Sequence, residues 1–177
     1  LTVAMEVIEP MPHILLAGGG HCAQAIADAS APLGWSVSVL DARPEYASEE
    51  LWPDAEECIA AEPGEFLARE TTESLARFSH VLLLGHDWAI DESLLIGLLE
   101  RNDGRPRIGC IGSKAKWRAF EKSAIQAGIL QNNLDTVICP IGVTIGAESP
   151  QEIAIAVLAQ IIAEIKGVDP ASPSWRD

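Results

Sequence analysis

A short apolar run, His13 to Ala17 (HILLA), stops at three consecutive glycines, and an alanine-rich stretch follows at once. No other feature limits the fold of this chain so strongly. A brief apolar segment bounded by glycine reads as a strand buried on both faces. Gly18-Gly19-Gly20-His21-Cys22-Ala23 then fits the spacing G-x-G-x-x-G/A between a strand and a helix. Glycine lets the backbone turn tightly and come close to a pyrophosphate, while the helix start offers free N–H groups and a positive dipole end. The helix is predicted from about Gly20 to Pro32, with Ala23, Ile26 and Ala27 on one face and Gly34 as its stop.

The same alternation continues along the chain. Strands are predicted at Ser36–Leu40, Glu57–Ala61 (a short edge strand), His80–Leu84, Arg107–Ile111 and Thr136–Cys139. Helices are predicted at Thr72–Phe78, from a cap at Asp91 to about Asn102, and from a cap at Ser113 through Lys114 to about Ala127, before Gly128. Ser149-Pro150-Gln151-Glu152 combines a capping serine, a proline at the first helical position and a glutamate at the third, so the last helix should run from there to about Lys166. The segment from Arg43 to Pro53 reads as loop. Alternating strands and helices imply an α/β fold, Rossmann-like and doubly wound, with a mainly parallel sheet covered by helices on both faces. One domain is expected over residues 13–167, preceded by a linker at 1–12 and followed by a flexible tail at 168–177.

Composition excludes more than it identifies. A net charge of −14 disfavours nucleic acid and anionic membrane surfaces as partners. No apolar run reaches the roughly 18 residues needed to cross a bilayer, and Leu1 to Pro12 has no basic region of the kind that opens a signal peptide. The four cysteines, Cys22, Cys58, Cys110 and Cys139, are far apart and form no CxxC pair. They read as reduced thiols of a cytoplasmic protein, with no metal site and no disulfide framework.

Ligands of such sheets bind outside the carboxyl ends of the strands. The candidate binding residues all lie in segments predicted to end there. Asp41 closes the second strand, 21 residues after Gly20, where a carboxylate can accept from a ribose diol and would repel a 2′-phosphate. Arg43, just beyond, can stack on an adenine, counter a phosphate, or simply be solvated. His86 and Asp87 follow the fourth predicted strand and can contact a ligand, although neighbours on a strand end point opposite ways and need not pair. Gly112-Ser113-Lys114-Ala115-Lys116-Trp117-Arg118 puts three cations in the first turn or so of a helix, against its dipole. A bound anion would remove that conflict, and an anion site is expected here in preference to a solvated basic face. Residues 101–122 carry seven cations against two acids, leaving that segment at +5 and the rest of the chain at −19. The loop Pro140–Glu148 adds Gly142 and Gly146. No catalytic triad, paired-carboxylate motif or metal-ligand cluster is apparent.

The stretches LLAGGGHCAQAIA, LDARPE, LLLGHDWAID, IGCIGSKAKW and PIGVTIGAESPQEIAIAVLAQIIAEI resemble the Rossmann domain of the XdhC/CoxI family, the accessory factors of xanthine dehydrogenase-type molybdenum hydroxylases. The resemblance spans about residues 13–166. It implies a protein that binds molybdenum cofactor, protects it while its terminal sulfur is installed, and delivers it to an apo molybdenum hydroxylase, with a sulfur-transfer enzyme as a further partner. It places Gly18, Gly20, His86, Asp87, Gly112, Ser113, Lys114, Gly142 and Gly146 on signature positions of the family. Gly85 and Trp88 depart from the family's usual Thr and His (THDHALD), which weakens a catalytic use of that segment. Many members also carry a cysteine-bearing N-terminal domain that these residues do not include, so the resemblance implies either a fragment or a stand-alone protein that works with a separate partner. Molybdopterin-type cofactor and an NAD-like dinucleotide both remain open as ligands. An NAD-dependent oxidoreductase and an NAD-sensing module are the rival functions, and the fold class allows a homodimer.

Overall fold

Over residues 11–101 and 105–171, which the computed structural model describes, five strands form one all-parallel sheet. The strands are β1 (His13–Ala17), β2 (Ser36–Asp41), β3 (Cys58–Ala60), β4 (His80–Leu83) and β5 (Arg107–Cys110), in the spatial order β3-β2-β1-β4-β5. The chain moves outward from β1 to β3 on one side, then returns past β1 to β4 and β5 on the other. The carboxyl ends of β1 and β4 therefore meet where the winding reverses, which is where sheets of this kind hold ligands.

Side chains alternate between the two faces with a period of two. Ile14 and Leu16 of β1 join Val37, Val39 and Leu82 in one layer, covered by Ala23 and Ile26 of α1 (His21–Ser30) and by Ala154, Val157, Leu158 and Ile161 of α7 (Pro150–Lys166). Leu15 and Ala17 face the other way with Leu40, Val81, Leu83, Ile108 and Cys110. Phe66 of α2 (Pro63–Arg69), Leu94, Leu95 and Leu98 of α4 (Trp88–Leu99) and Phe120 of α5 (Lys114–Gln126) cover that side. The capping box at Ser149 and Glu152 starts α7, and Gly167, in the left-handed region at φ 63°, ends it.

The structure corrects several expectations. Asp87, not Asp91, caps α4: its Oδ1 accepts from the Ala89 N–H at 2.9 Å, and Asp91 is a buried residue of the first helical turn. Thr136–Cys139 is not a strand of the sheet. Ile138 makes an isolated parallel bridge to Gly109, and the ladder stops because Pro140 has no N–H to offer Cys110; Ile141 donates to that carbonyl instead, at 3.0 Å. The helix expected over Thr72–Phe78 is the single turn α3 (Thr72–Leu75). Two helices were not anticipated, α2 and the short α6 (Gln131–Leu134), and Pro44–Tyr46 forms a 3-10 turn inside the expected loop. Residues 1–10 of the expected linker and 172–177 of the expected tail lie outside the described residues. No helix among the described residues is long and apolar enough to cross a membrane.

Candidate functional site

The three glycines at the end of β1 serve different purposes. Gly18 turns the chain at φ 107° while its N–H donates to the Leu40 carbonyl at 2.7 Å, and a Cβ there would lie 2.9 Å from the Gly85 nitrogen. At Gly19 a Cβ would lie 2.1 Å from the Tyr46 carbonyl oxygen. Protein packing thus accounts for both. Gly20 is different: its backbone is extended, at φ −80°, and a Cβ would meet nothing within 4 Å. It stands at the cap of α1 with no side chain satisfying the first turn, whose first intrahelical bond runs from Gln24 N–H to Gly20 carbonyl at 3.1 Å. The open space above Gly20 and the uncapped N–H groups beside it suit a phosphate. His21, exposed, opens the helix at the same place.

Asp41 is buried at the end of β2, and its carboxylate is already engaged. Oδ2 accepts from Gly19 N–H and from an Arg43 terminal nitrogen, Oδ1 from Arg43 N–H and Nε, all at 2.9 Å. The Arg43 guanidinium also lies 3.7 Å over the Tyr46 ring. Asp41 therefore ties the glycine loop to the loop after β2, and a ribose hydroxyl would have to displace Arg43 to use it. Burial pushes the Asp41 carboxyl up, but the bonds from Arg43 and Gly19 outweigh it and hold the group below its ordinary value of 3.8. A depressed carboxyl stabilises the fold above its unfolded pKa and loses that contribution as pH falls through the folded value. Asp41→Asn should accordingly cost about 1–3 kcal/mol at neutral pH. The deficit against wild type should shrink as pH drops below 3.8, as followed by denaturant unfolding at graded pH. A deficit that does not change with pH would remove the charge of Asp41 from this account.

At the end of β4 the backbone of Gly85 is held from both sides. Its N–H donates to Asp91 Oδ1 at 3.2 Å, and its carbonyl accepts from Lys116 Nζ at 3.2 Å. Lys116 and Asp91 themselves pair at 2.6 Å, with side chains 5 % and 2 % exposed, and Lys116 also donates to the Ile111 carbonyl at 3.2 Å. Burial raises the Asp91 pKa, and Lys116 only partly offsets it. This corrects the expectation of three cations converging on an anion. The charge of Lys116 is spent on Asp91, and Gly112 is bare because a Cβ there would come within 2.8 Å of the Lys116 side chain. Ser113 caps α5 by accepting from Lys116 N–H at 3.3 Å.

A cleft along the carboxyl ends of β1, β2 and β4 gathers Gly18, Asp41, Arg43, Gly85, His86, Asp87 and Asp91. His86 and Asp87 are exposed there, and Asp87 caps its own helix rather than pairing with His86. The wall facing them is Ala61 and Pro63, from the turn between β3 and α2. Sequence reasoning missed that wall, although Pro63 at a first helical position before Phe66-Leu67 was a readable start signal. Lys114 and Arg118 lie elsewhere, lining a second depression with Ser113, Trp117, Glu121, Cys139 and Pro140. Gly142 and Gly146 are not part of the cleft lining. Gly142, at φ 116°, packs against Ala156 of α7, where a Cβ would sit 3.2 Å away, and Gly146 is exposed on the same loop.

The model of the XdhC Rossmann domain family matches residues 14–161. The chain is 32% identical over 166 residues to a probable xanthine dehydrogenase subunit from Bacillus subtilis, covering 93% of this chain and 46% of that protein. It is 31% identical over 162 residues to the uncharacterized protein YqeB of Escherichia coli, covering 92% and 29% respectively. The chain thus spans less than half the length of these curated relatives. Among solved structures, a xanthine dehydrogenase from Bacillus halodurans matches with a TM-score of 0.73 at 29% identity, over 89% of this chain and 45% of that one. The NAD(P)-binding domain of an exopolyphosphatase-related protein from Archaeoglobus fulgidus shares the fold, with a TM-score of 0.51 at 18% identity over 88% of this chain and 98% of that one.

Proposed function

Because the chain belongs to the XdhC family through its Rossmann domain, we propose that it is the cofactor-handling part of an accessory protein. It would bind molybdenum cofactor, in its mononucleotide or dinucleotide form, and assist maturation of a xanthine dehydrogenase-type molybdenum hydroxylase. The observation that carries the reading is Gly20, whose missing side chain no protein contact explains and which faces open space at an uncapped helix start. The phosphate of the ligand would rest there, against Gly18, Gly20 and the N–H of His21. The organic ring system would extend into the cleft toward His86 and the apolar wall of Ala61, Pro63 and Leu94. A dinucleotide of the NAD type presents the same pyrophosphate and competes for the same place. The bound group supplies the redox chemistry in the client enzyme; the chain's own residues hold it, orient it and shield one face from water.

The test is activation of a client. Apo-hydroxylase mixed with limiting cofactor should gain activity several-fold faster when the full-length factor is present, with the factor itself turning over no substrate. Robust reduction of NAD by the factor, with a simple alcohol or hydroxy acid, would replace this reading with that of an oxidoreductase.

A further inference from the structure

The bridge between Gly109 and Ile138 brings two cysteines side by side. Cys110 N–H donates to the Ile138 carbonyl at 2.9 Å, and Ile138 N–H to the Ile108 carbonyl at 3.0 Å. One step further along the parallel register, Cys139 stands opposite Cys110. Adjacent parallel strands run about 4.8 Å apart, within the roughly 4.4–6.8 Å that a disulfide spans between Cα atoms. Both side chains belong to the same apolar layer, Cys110 fully buried and Cys139 packed against it from a half-buried position. The outer side of Cys139 opens into the depression lined by Lys114, Trp117, Arg118, Glu121 and Pro140.

The two thiols are chemically unequal. The neighbouring Cys110 thiol lowers the Cys139 thiol from its ordinary value; burial opposes this, the buried charge of Lys116 adds to it, and Glu121 works against it. The same proximity, together with burial, pushes Cys110 up, and the Cys110 thiol donates to the Ile111 carbonyl at 3.5 Å. Cys22 is pushed up by burial, and Cys58 by burial and by the charge of Glu49. The thiol with the greatest thiolate character is therefore a partly exposed one, flanked by two exposed cations, with a second, buried thiol beside it.

We propose that Cys139 is a thiol–disulfide exchange site for small disulfides that carry carboxylates, and that Cys110 resolves the adduct. The Cys139 thiolate attacks one sulfur of the small disulfide; a protein–ligand disulfide forms, the ligand's S–S bond breaks, and one ligand thiolate leaves and takes a proton. Cys110 then gives up its proton and attacks the Cys139 sulfur. The Cys110–Cys139 disulfide forms and the second ligand thiol is released, so that two protein thiols are oxidised and one small disulfide is reduced to two thiols.

The probe is glutathione disulfide, applied to the reduced full-length chain and read by peptide mapping. Wild type should yield the 110–139 cross-link. Cys110→Ala should stop at a glutathione adduct on Cys139, and Cys139→Ser should yield neither product at these two positions. Lys114→Gln with Arg118→Gln should slow the reaction with glutathione disulfide by on the order of tenfold while leaving the neutral 2-hydroxyethyl disulfide unaffected. Wild-type labelling confined to Cys22 or Cys58 would overturn the site. A lasting adduct on wild-type Cys139 with no cross-link would overturn the resolving role of Cys110. Equal slowing of both probes in the charge variant would overturn the preference for carboxylates. The wild-type map stands by itself if the Cys110 variant does not fold.

Discussion

Gly20→Val should abolish ligand binding while leaving the melting temperature of the ligand-free protein near that of wild type. The backbone at Gly20 is extended, at φ −80° and ψ −170°, which valine adopts readily, and the space beside it is empty. The fold therefore loses only the modest advantage of glycine over valine at a helix cap, up to about 1 kcal/mol. A phosphate held by the uncapped N–H groups loses far more, because the branched side chain occupies the position from which it must approach. Hydrogen bonds to a charged group are each worth about 1.5–3 kcal/mol. Losing two of them weakens the dissociation constant by on the order of 100-fold or more. Titration with NAD, ADP-ribose and a molybdopterin nucleotide measures this, and Gly19→Ala is the informative contrast. A Cβ at Gly19 would lie 2.1 Å from the Tyr46 carbonyl oxygen, so that variant should lose stability whether or not ligand is present. Equal affinity in wild type and Gly20→Val for a ligand that wild type binds would place the phosphate elsewhere.

Lys116→Met should be the most destabilising single change in the cleft region, costing about 3–5 kcal/mol. It removes the partner of a carboxylate whose side chain is only 2 % exposed and leaves Asp91 charged and uncompensated. In a domain of this length that corresponds to a fall in melting temperature on the order of 10 °C. Burial already raises the Asp91 pKa in the paired protein, and loss of Lys116 raises it further. An acid with a raised folded pKa binds more protons folded than unfolded, so its contribution to stability falls as pH rises through that window. The deficit of Lys116→Met against wild type should therefore be smaller near pH 5 than near pH 8. Asp91→Leu with Lys116→Met should recover most of the loss, since no lone charge remains. Urea denaturation at both pH values decides the matter. A deficit that is constant with pH, and that the second substitution fails to repair, would mean that Lys116 acts through packing alone.

The sequence made the local decisions legible. The apolar run before Gly18, the capping box at Ser149 and Glu152 and the cap at Ser113 each depend on a few neighbouring residues, and each matches the structure. Partnerships across the fold were not legible in the same way. Lys116 looks like a surface cation because it sits beside Lys114 and Arg118. Only the packing of α5 against α4 turns it inward to Asp91, 25 residues away. Asp41 was rightly placed at the end of β2, but Arg43 and Gly19 occupy its oxygens, and no spacing rule reports how many hydrogen bonds a carboxylate already accepts. Thr136–Cys139 has the composition of a strand, and the proline that ends its ladder lies one residue beyond the apolar stretch.

The path of α7 has a consequence in time. One apolar layer, which includes Ile14, Leu16 and Val39, is laid down by the first 41 residues, yet Val157, Leu158 and Ile161 complete its cover. During synthesis at about 5–20 residues per second, the interval between the second strand and the last helix is on the order of ten seconds. The opposite layer meets α2, α4 and α5 earlier in the chain. A nascent chain therefore has one side covered by α2, α4 and α5 while the other is covered by α1 alone until α7 emerges.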